Sequence, residues 1–257
     1  MQALQQHDLR PAAAERILKE ARIHTADAVV EVGPGLGALT HGLLVAGATV
    51  QALELDPRRV TKLEERFAPQ IAAGALQLWC GDALKWRGKH PSAWRVVANP
   101  PFNLTAPLLH RWLVEEDDLP WAIDLVLQRQ TGFKLSPKPG EQSRSSVLVA
   151  LAGRAAMRLV LPRDATTPPA RVDMCLWSFR REDDGPTLAE LRAVDRLLTV
   201  AFAGTHTVLD ALRGLATGIQ VRRQAQENGW QPTDHPRQLP PAAWLAFAKL
   251  LMMCHKL

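Results

Sequence analysis

Between residues 11 and about 130, short apolar runs alternate with segments of helical period, and no other feature constrains the fold of this chain as much. The runs at 28–32, 49–53, 76–79, 95–98 and 122–127 are four to six residues long and dominated by Val, Leu, Ile and Ala. Runs of that length and make-up read as buried strands. The segments 11–22, 36–45, 58–67 and 106–113 read as helices. In the first, Ala14, Ile17, Leu18 and Ala21 share one face and Pro11 sits near the first turn. Such alternation predicts an α/β fold built on a parallel sheet with helices on both faces. Further on, 158–161 and 172–179 read as strands around a Pro-rich connection, 162–171, and 134–145 as a surface loop. After Asp183-Asp184-Gly185-Pro186 only helical patterns remain, at 187–203, 208–215, 219–227 and 241–253. The expected organisation is an α/β domain over 1–185 and a small all-helical domain over 186–257. A helical module of about 70 residues is marginal by itself, so it should pack on the first domain.

Composition bounds the function classes. At 257 residues and 47% hydrophobic, the chain can bury a sizeable core. No apolar run approaches the roughly 18 to 20 residues of a membrane helix. The segment 1–10 is polar, without the apolar stretch of a signal peptide, which predicts a cytosolic protein with no membrane partner. Cys80, Cys175 and Cys254 are odd in number and far apart, so they predict neither a disulfide framework nor a zinc site, and read as small buried hydrophobes. The histidines and carboxylates show no metal-ligand spacing, so no metal is expected. His206 and His235 read as surface or helix-capping residues, and Trp177 and Trp244 as packing residues. The net charge of +5 is unevenly spread: 129–181 holds ten Lys/Arg against three Asp/Glu, leaving about −2 elsewhere. A basic middle third is the footprint of a polyanionic partner, or a solvated charged face.

Glu31-Val32-Gly33-Pro34-Gly35-Leu36-Gly37 leaves a strand and opens a helix. Glycines there permit a tight turn and close approach of a ligand to the backbone. Glu54, at the end of the second strand, is placed to bind ribose hydroxyls. The pattern fits a nicotinamide or flavin enzyme as well as a methyltransferase using S-adenosylmethionine. Asn99-Pro100-Pro101-Phe102, after the fourth strand, favours the second. The Asn99 side-chain oxygen and the Pro100 carbonyl are acceptors able to hold one exocyclic amine, and Phe102 can stack on an extruded base. Asp82, in Gly81-Asp82-Ala83-Leu84 after the third strand, is placed to accept from a cofactor amine.

These residues resemble the ribosomal RNA adenine N6-dimethyltransferases, which include 16S rRNA dimethyltransferases and macrolide-resistance 23S rRNA methylases. The resemblance runs nearly end to end. Gln6-His7-Asp8-Leu9 resembles the segment that closes over the cofactor, which implies Gln6, His7 and Leu9 as cofactor-binding. Segment 31–40 resembles the glycine motif, implying Glu31, Gly33, Gly35 and Gly37, and 52–56 the ribose-binding segment with Glu54. Segment 81–84 resembles the adenine-binding turn with Asp82 and Ala83. Asn99 to Thr105, NPPFNLT, is similar to the family's catalytic motif, implying Asn99, Pro100 and Phe102 as catalytic and Asn99 as also touching the cofactor. Gln128, the loop residues Pro139, Gly140, Arg144 and Ser146, the segment 162–173 and the tail 239–251 extend it. It implies a Rossmann-like methyltransferase sheet, a helical C-terminal domain, S-adenosylmethionine as cofactor with S-adenosylhomocysteine as product, no metal, and ribosomal RNA or an assembling subunit as partner of a monomer. The implied reaction is direct methyl transfer to adenine N6, with the 16S type favoured by Asn103-Leu104-Thr105 and the PKPG loop. The alternatives are a 23S methylase and a catalytically weak RNA- or ribosome-binding factor. Asp8, Phe102, Gln130, Thr166 and Gly204-Thr205-His206 depart from the family pattern. Of these, Thr166 stands where a base-stacking Phe is usual, and 204–206 lacks the usual basic stretch.

Overall fold

The computed structural model describes residues 7–90, 93–136, 140–204 and 207–254. The described residues form nine strands: β1 (Asp8–Leu9), β2 (Ala28–Val32), β3 (Thr49–Glu54), β4 (Leu76–Cys80), β5 (Trp94–Ala98), β6 (Ala122–Gln128), β7 (Gly153–Leu161), β8 (Thr166–Thr167) and β9 (Met174–Arg181). Seven form one sheet in the order β4-β3-β2-β5-β6-β9-β7. The five from β2 to β6 are parallel, with Val30 opposite both Gln51 and Val96. The chain runs outward from β2 through β3 to β4, then returns to β5 on the other side of β2. That reversal is a topological switch point, where ligands bind open α/β sheets at the carboxyl ends of the strands.

The parallel sheet expected over 11–130 is thus present, and two antiparallel features lie outside it. Strand β9 runs antiparallel to β6, pairing Leu125 with Trp177. It follows the Pro-rich connection, which carries no crossover helix, and an antiparallel return needs none. Strands β1 and β8 form a separate antiparallel pair, Leu9 opposite Thr166. Two residues with no alternation leave no period to read.

The expected helices appear as α1 (Pro11–Ala21), α2 (Ala38–Val45), α3 (Pro57–Arg66) and, after a short α4 (Ala68–Ala72) that was not expected, α5 (Thr105–His110). Pro11 and Pro57 begin two of them, and the Asp56 carboxylate caps α3 by accepting from Arg58 N at 2.9 Å. The helix expected over 106–113 is shorter and continues as a π-helical turn, Arg111–Glu115. Every residue of β5 is buried, so both faces of the sheet are covered there. One core cluster joins Ile17 and Leu18 of α1, Leu43 of α2, and Val29, Val50, Val97 and Leu176 of the sheet.

Helices α6 (Arg129–Lys134), α7 (Arg144–Ala152), α8 (Leu188–Ala201), α9 (Val208–Ala211), α10 (Gly218–Asn228) and α11 (Pro241–Met253) complete the chain. Capping boxes open α7 at Ser143, α8 at Thr187 and α10 at Thr217. By contacts the chain divides into two compact units: 1–109, 118–132 and 156–180 form the sheet unit, and 110–117, 133–155 and 181–257 form the helical unit. The helical unit therefore includes two segments upstream of the tail. The reason is apolar packing: α8 buries Leu191, Val194 and Leu198 against α11, α7 and the π-helical turn. The helix expected over 208–215 ends at Ala211.

Trp177 and Trp244 are buried as packing residues. The His235 ring caps a short 3-10 turn by accepting from Arg237 N at 3.2 Å. Only Cys175 is a buried cysteine; Cys80 ends β4 and Cys254 caps α11, both exposed. The basic third is also less free than its charge count suggests. Arg144, Arg154, Arg163 and Arg180 pair with Asp195, Glu182, Asp173 and Asp124. His206, Thr205 and Pro139 lie outside the described residues.

Candidate active site

A cavity of about 290 Å³ opens at the switch point. Its walls are the segments that leave β2, β3, β4 and β5, roofed by residues 7–9. Four turns widely separated in sequence thus converge because parallel strands end on the same edge of the sheet.

The glycine turn supplies one wall. Gly33, Gly35 and Gly37 all take positive φ, at 71°, 61° and 81°. Side chains are strained there. Their roles nevertheless differ. Gly33 and Gly35 line the cavity. Gly37 does not: an added Cβ would lie 2.7 Å from Phe67 and 3.0 Å from Leu63, so its backbone packs against the α3–α4 helices.

Two carboxylates stand at the base of this wall. Glu31 is fully buried, and its Oε2 accepts from the Thr40 hydroxyl at 2.7 Å. Its Oε1 has no partner among the described residues. Desolvation, opposed by the Thr40 hydrogen bond and aided by the charge of Glu54, pushes the Glu31 pKa up to about 8. Glu54 is better satisfied. Its two oxygens accept from Gly35 N at 3.2 Å and Asp56 N at 3.0 Å. At the end of β4, Asp82 Oδ1 accepts from Leu84 N at 3.0 Å, holding the Gly81–Leu84 turn. Ala83 lies beside it on the cavity wall.

The Asn-Pro-Pro-Phe segment supplies the opposite wall. Asn99 Nδ2 donates to the His7 carbonyl at 2.9 Å. With its donor occupied in this way, the side-chain oxygen is left as an acceptor. The Pro101 carbonyl is taken by Leu104 N at 2.9 Å. Among the described residues, none donates to the Pro100 carbonyl. The Phe102 ring lies near-parallel to the His7 ring, 25° apart with centroids 6.4 Å apart.

Thus His7, Leu9, Glu31, Gly33, Gly35, Glu54, Asp82, Ala83, Asn99, Pro100 and Phe102 share one cavity. Gln6 lies outside the described residues. In the sequence Asp8 stands out only as a departure from the family pattern, and nothing there marks Arg59. Both line the cavity and are bonded to each other at 2.7 and 3.0 Å. Fifty-one positions separate them, and no local pattern announces such a pair. Thr166 is fully buried, and its hydroxyl donates to the Pro168 carbonyl at 2.9 Å. It offers no stacking surface. No group of three or more metal-ligating side chains occurs among the described residues.

The chain is similar to known proteins both in structure and in sequence. The structure resembles a dimethyladenosine transferase from Plasmodium falciparum, with a TM-score of 0.72 at 21% identity over 97% of this chain and 98% of that one. It also resembles the 23S rRNA methyltransferase ErmE, with a TM-score of 0.71 at 21% identity over 95% and 99%. At that identity the likeness shows the fold alone, a Rossmann-like α/β sheet. Sequence relatives are nearer. The Ribosomal RNA small subunit methyltransferase A of Jannaschia sp. (strain CCS1) is 35% identical over 87% of this chain and 78% of its own. The protein of the same name from Thermosynechococcus vestitus is 32% identical over 96% and 94%. The family profile "Ribosomal RNA adenine dimethylase" matches residues 5–251, nearly the whole chain, and so the chain belongs to the ribosomal RNA adenine dimethylase family.

Proposed function

We propose that this chain transfers methyl groups from S-adenosylmethionine to N6 of an adenine in small-subunit ribosomal RNA. The observation that carries this is the meeting, in one cavity, of the glycine turn, the acids Glu31 and Glu54, and the Asn99 to Phe102 segment. The names of the sequence relatives support the small-subunit target.

The cavity residues fit the cofactor. The unpartnered, buried Glu31 Oε1 is the acceptor that a cofactor ammonium would satisfy. A carboxylate left without a donor in the interior is costly unless a ligand completes it. Glu54 retains lone pairs for the ribose hydroxyls after accepting from two backbone amides. The free oxygen of Asp82 is available to an adenine amine. When bound, S-adenosylmethionine supplies an electrophilic methyl group on a sulfonium that departs as a neutral thioether.

The chain's own contribution is positioning. An adenine N6 lone pair is delocalised into its ring and is a poor nucleophile. Asn99 Oδ1 and the Pro100 carbonyl, both accepting from the amine, fix its two hydrogens and turn the lone pair toward the methyl group. Phe102 stacks on one face of the extruded base. Buried Thr166 cannot supply the other face, which predicts weaker base binding by about 1 to 3 kcal/mol than a site with two aromatic walls. That feature also motivates a second reading, a ribosome-binding factor that transfers slowly.

Labelled methyl transfer to unmodified 30S particles, 50S particles and protein-free rRNAs, mapped by reverse-transcription stops, tests the proposal. Label at an adenine of the small-subunit RNA is expected. Label confined to 23S RNA would reassign the target. No label from a folded protein that still binds S-adenosylhomocysteine would favour the binding factor.

A further inference from the structure

We infer that the Asp8–Arg59 ion pair is a clamp that orients the Asn99 side chain, making Asp8 and Arg59 positioning residues for the transfer step. This rests on the reading of Asn99 as the residue that holds the reacting amine.

The chain of contacts is short. Asp8 lies on the two-residue strand β1, and Arg59 on the first turn of α3. The guanidinium meets the carboxylate with two parallel bonds, Nη1 to Oδ1 at 2.7 Å and Nη2 to Oδ2 at 3.0 Å. Bidentate pairs of this kind fix direction as well as distance. Both side chains are mostly shielded, Arg59 16% and Asp8 21% exposed, so water competes little for the pair. They also lie directly on the glycine turn. A Cβ at Gly35 would come within 2.5 Å of Asp8 Oδ1 and 2.8 Å of Arg59 Nη1.

Residue 7 is the next link. Its carbonyl accepts from Asn99 Nδ2 at 2.9 Å, and its ring Nδ1–H donates to the Pro168 carbonyl at 3.1 Å. An Asn amide is nearly symmetric in shape, and only its hydrogen bonds decide which end points where. The His7 carbonyl makes that decision here, by holding the NH2 end and leaving the oxygen end for the substrate amine. The carbonyl in turn is held by residues on either side of the strand: β1 pairs with β8 for only two residues, and Asp8 is anchored to α3. A two-residue ladder is weak by itself. The ion pair supplies the fixed point that the short strand lacks. Removing it frees residue 7 and lets the Asn99 amide rotate.

A measurement that needs no substrate reads this directly. The asparagines of this chain are Asn99, Asn103 and Asn228. Protein labelled with 15N at asparagine alone therefore gives a side-chain spectrum simple enough to assign. Asn228 Nδ2, bonded to the Gln224 carbonyl at 2.9 Å, is an internal control. In Asp8→Ala or Arg59→Ala, hydrogen exchange at the Asn99 amide is expected to accelerate at least tenfold while Asn228 is unchanged. With saturating S-adenosylmethionine, kcat for methyl transfer should fall about tenfold while KM for RNA stays within threefold. The double variant should be no slower than the slower single variant. If either alanine variant loses its fold, visible as faster exchange at Asn228, Asp8→Asn keeps the shape and should still accelerate Asn99 exchange at least threefold. Unchanged Asn99 exchange in folded variants would overturn the clamp. So would independent, multiplying losses in kcat. A wild-type protein that methylates no RNA would defeat the functional proposal and leave the exchange result to decide the clamp.

Discussion

Glu31 on β2 and Asp124 on β6 are fully buried in the same sheet, yet their surroundings are opposite. Asp124 Oδ2 accepts from Arg95 Nη2 at 2.6 Å. Its Oδ1 accepts from Ser178 at 2.6 Å and from both Arg180 terminal nitrogens at 3.1 Å. Arg95 is itself fully buried, bonded also to Asp27 and the Ala21 carbonyl, with Trp121 beneath its guanidinium at 4.7 Å. Glu31 has one hydroxyl donor, an empty oxygen and a pKa pushed up to about 8. A carboxylate with both oxygens satisfied, as Asp124 is, leaves nothing for a ligand to add, although Arg95 Nε beside it has no partner among the described residues. An unsatisfied carboxylate beside a cavity is a place where binding energy is still available. The difference separates a carboxylate closed by its neighbours from one left open to a ligand, without reference to its position in the sequence.

The comparison can be broken most severely at the network. Asp124→Ala leaves Arg95 buried without its main counter-charge and should cost about 3 to 5 kcal/mol in a urea titration. Below about pH 4.5, where the carboxyl is neutral in both states, Glu31→Gln should stay within about 1 kcal/mol of wild type, and at pH 7 it should be the more stable protein, because Gln spares the cost of protonating the carboxyl on folding. A large loss in Glu31→Gln, or none in Asp124→Ala, would reverse the assignment of roles.

Next in size is ligand binding. Glu31→Gln removes a charged acceptor for the cofactor ammonium, worth about 1.5 to 3 kcal/mol. The Kd for S-adenosylhomocysteine by calorimetry should rise about ten- to a hundredfold. Asp124 variants that remain folded should bind as wild type does.

The pH dependence sharpens the same contrast. Native Glu31 keeps its proton to about pH 8, against an ordinary 4.5. Between those values the native state holds more protons than the unfolded one, so its contribution to stability falls as pH rises, by at most about 1.4 kcal/mol per unit. Glu31→Gln should abolish that slope. Wild-type binding of S-adenosylhomocysteine at pH 7 should release a proton, read as a dependence of the binding enthalpy on the buffer.

The smallest effect belongs to a partly buried network in the helical unit. There Asp195 bonds to His110 Nε2 at 3.1 Å and to Arg144. The Asp195 hydrogen bond raises the His110 pKa against desolvation. That contribution is full below pH 6.5 and lost as pH rises through the native value. His110→Gln should remove about 0.5 to 1 kcal/mol near pH 5 and little at pH 9, by thermal unfolding.

Much of this was legible before any coordinates. The limits of β2 and α11 follow from the chain, and Glu31 to Leu36 of the glycine turn line one cavity with the Asn-Pro-Pro-Phe segment. Local period and local turn chemistry encode such elements. What escaped was non-local. The direction of β9 is decided by its partner β6, because an apolar run reads the same in either direction. The 129–181 surplus of base read as the footprint of a polyanionic partner or as a solvated face, and no local pattern showed that Arg144 and Arg180 meet acids 51 and 56 positions away. Gly37 shares the spacing of Gly33 and Gly35, and only the packing of Phe67 against it shows its separate task.

The central claim, that Asn99 holds the reacting amine in a cavity whose other residues hold the cofactor, is tested most directly by one variant. Asn99→Ala is predicted to bind S-adenosylhomocysteine with a Kd within about threefold of wild type and to lose methyl transfer to small-subunit RNA by at least a hundredfold. Transfer at the wild-type rate with unchanged binding would contradict it.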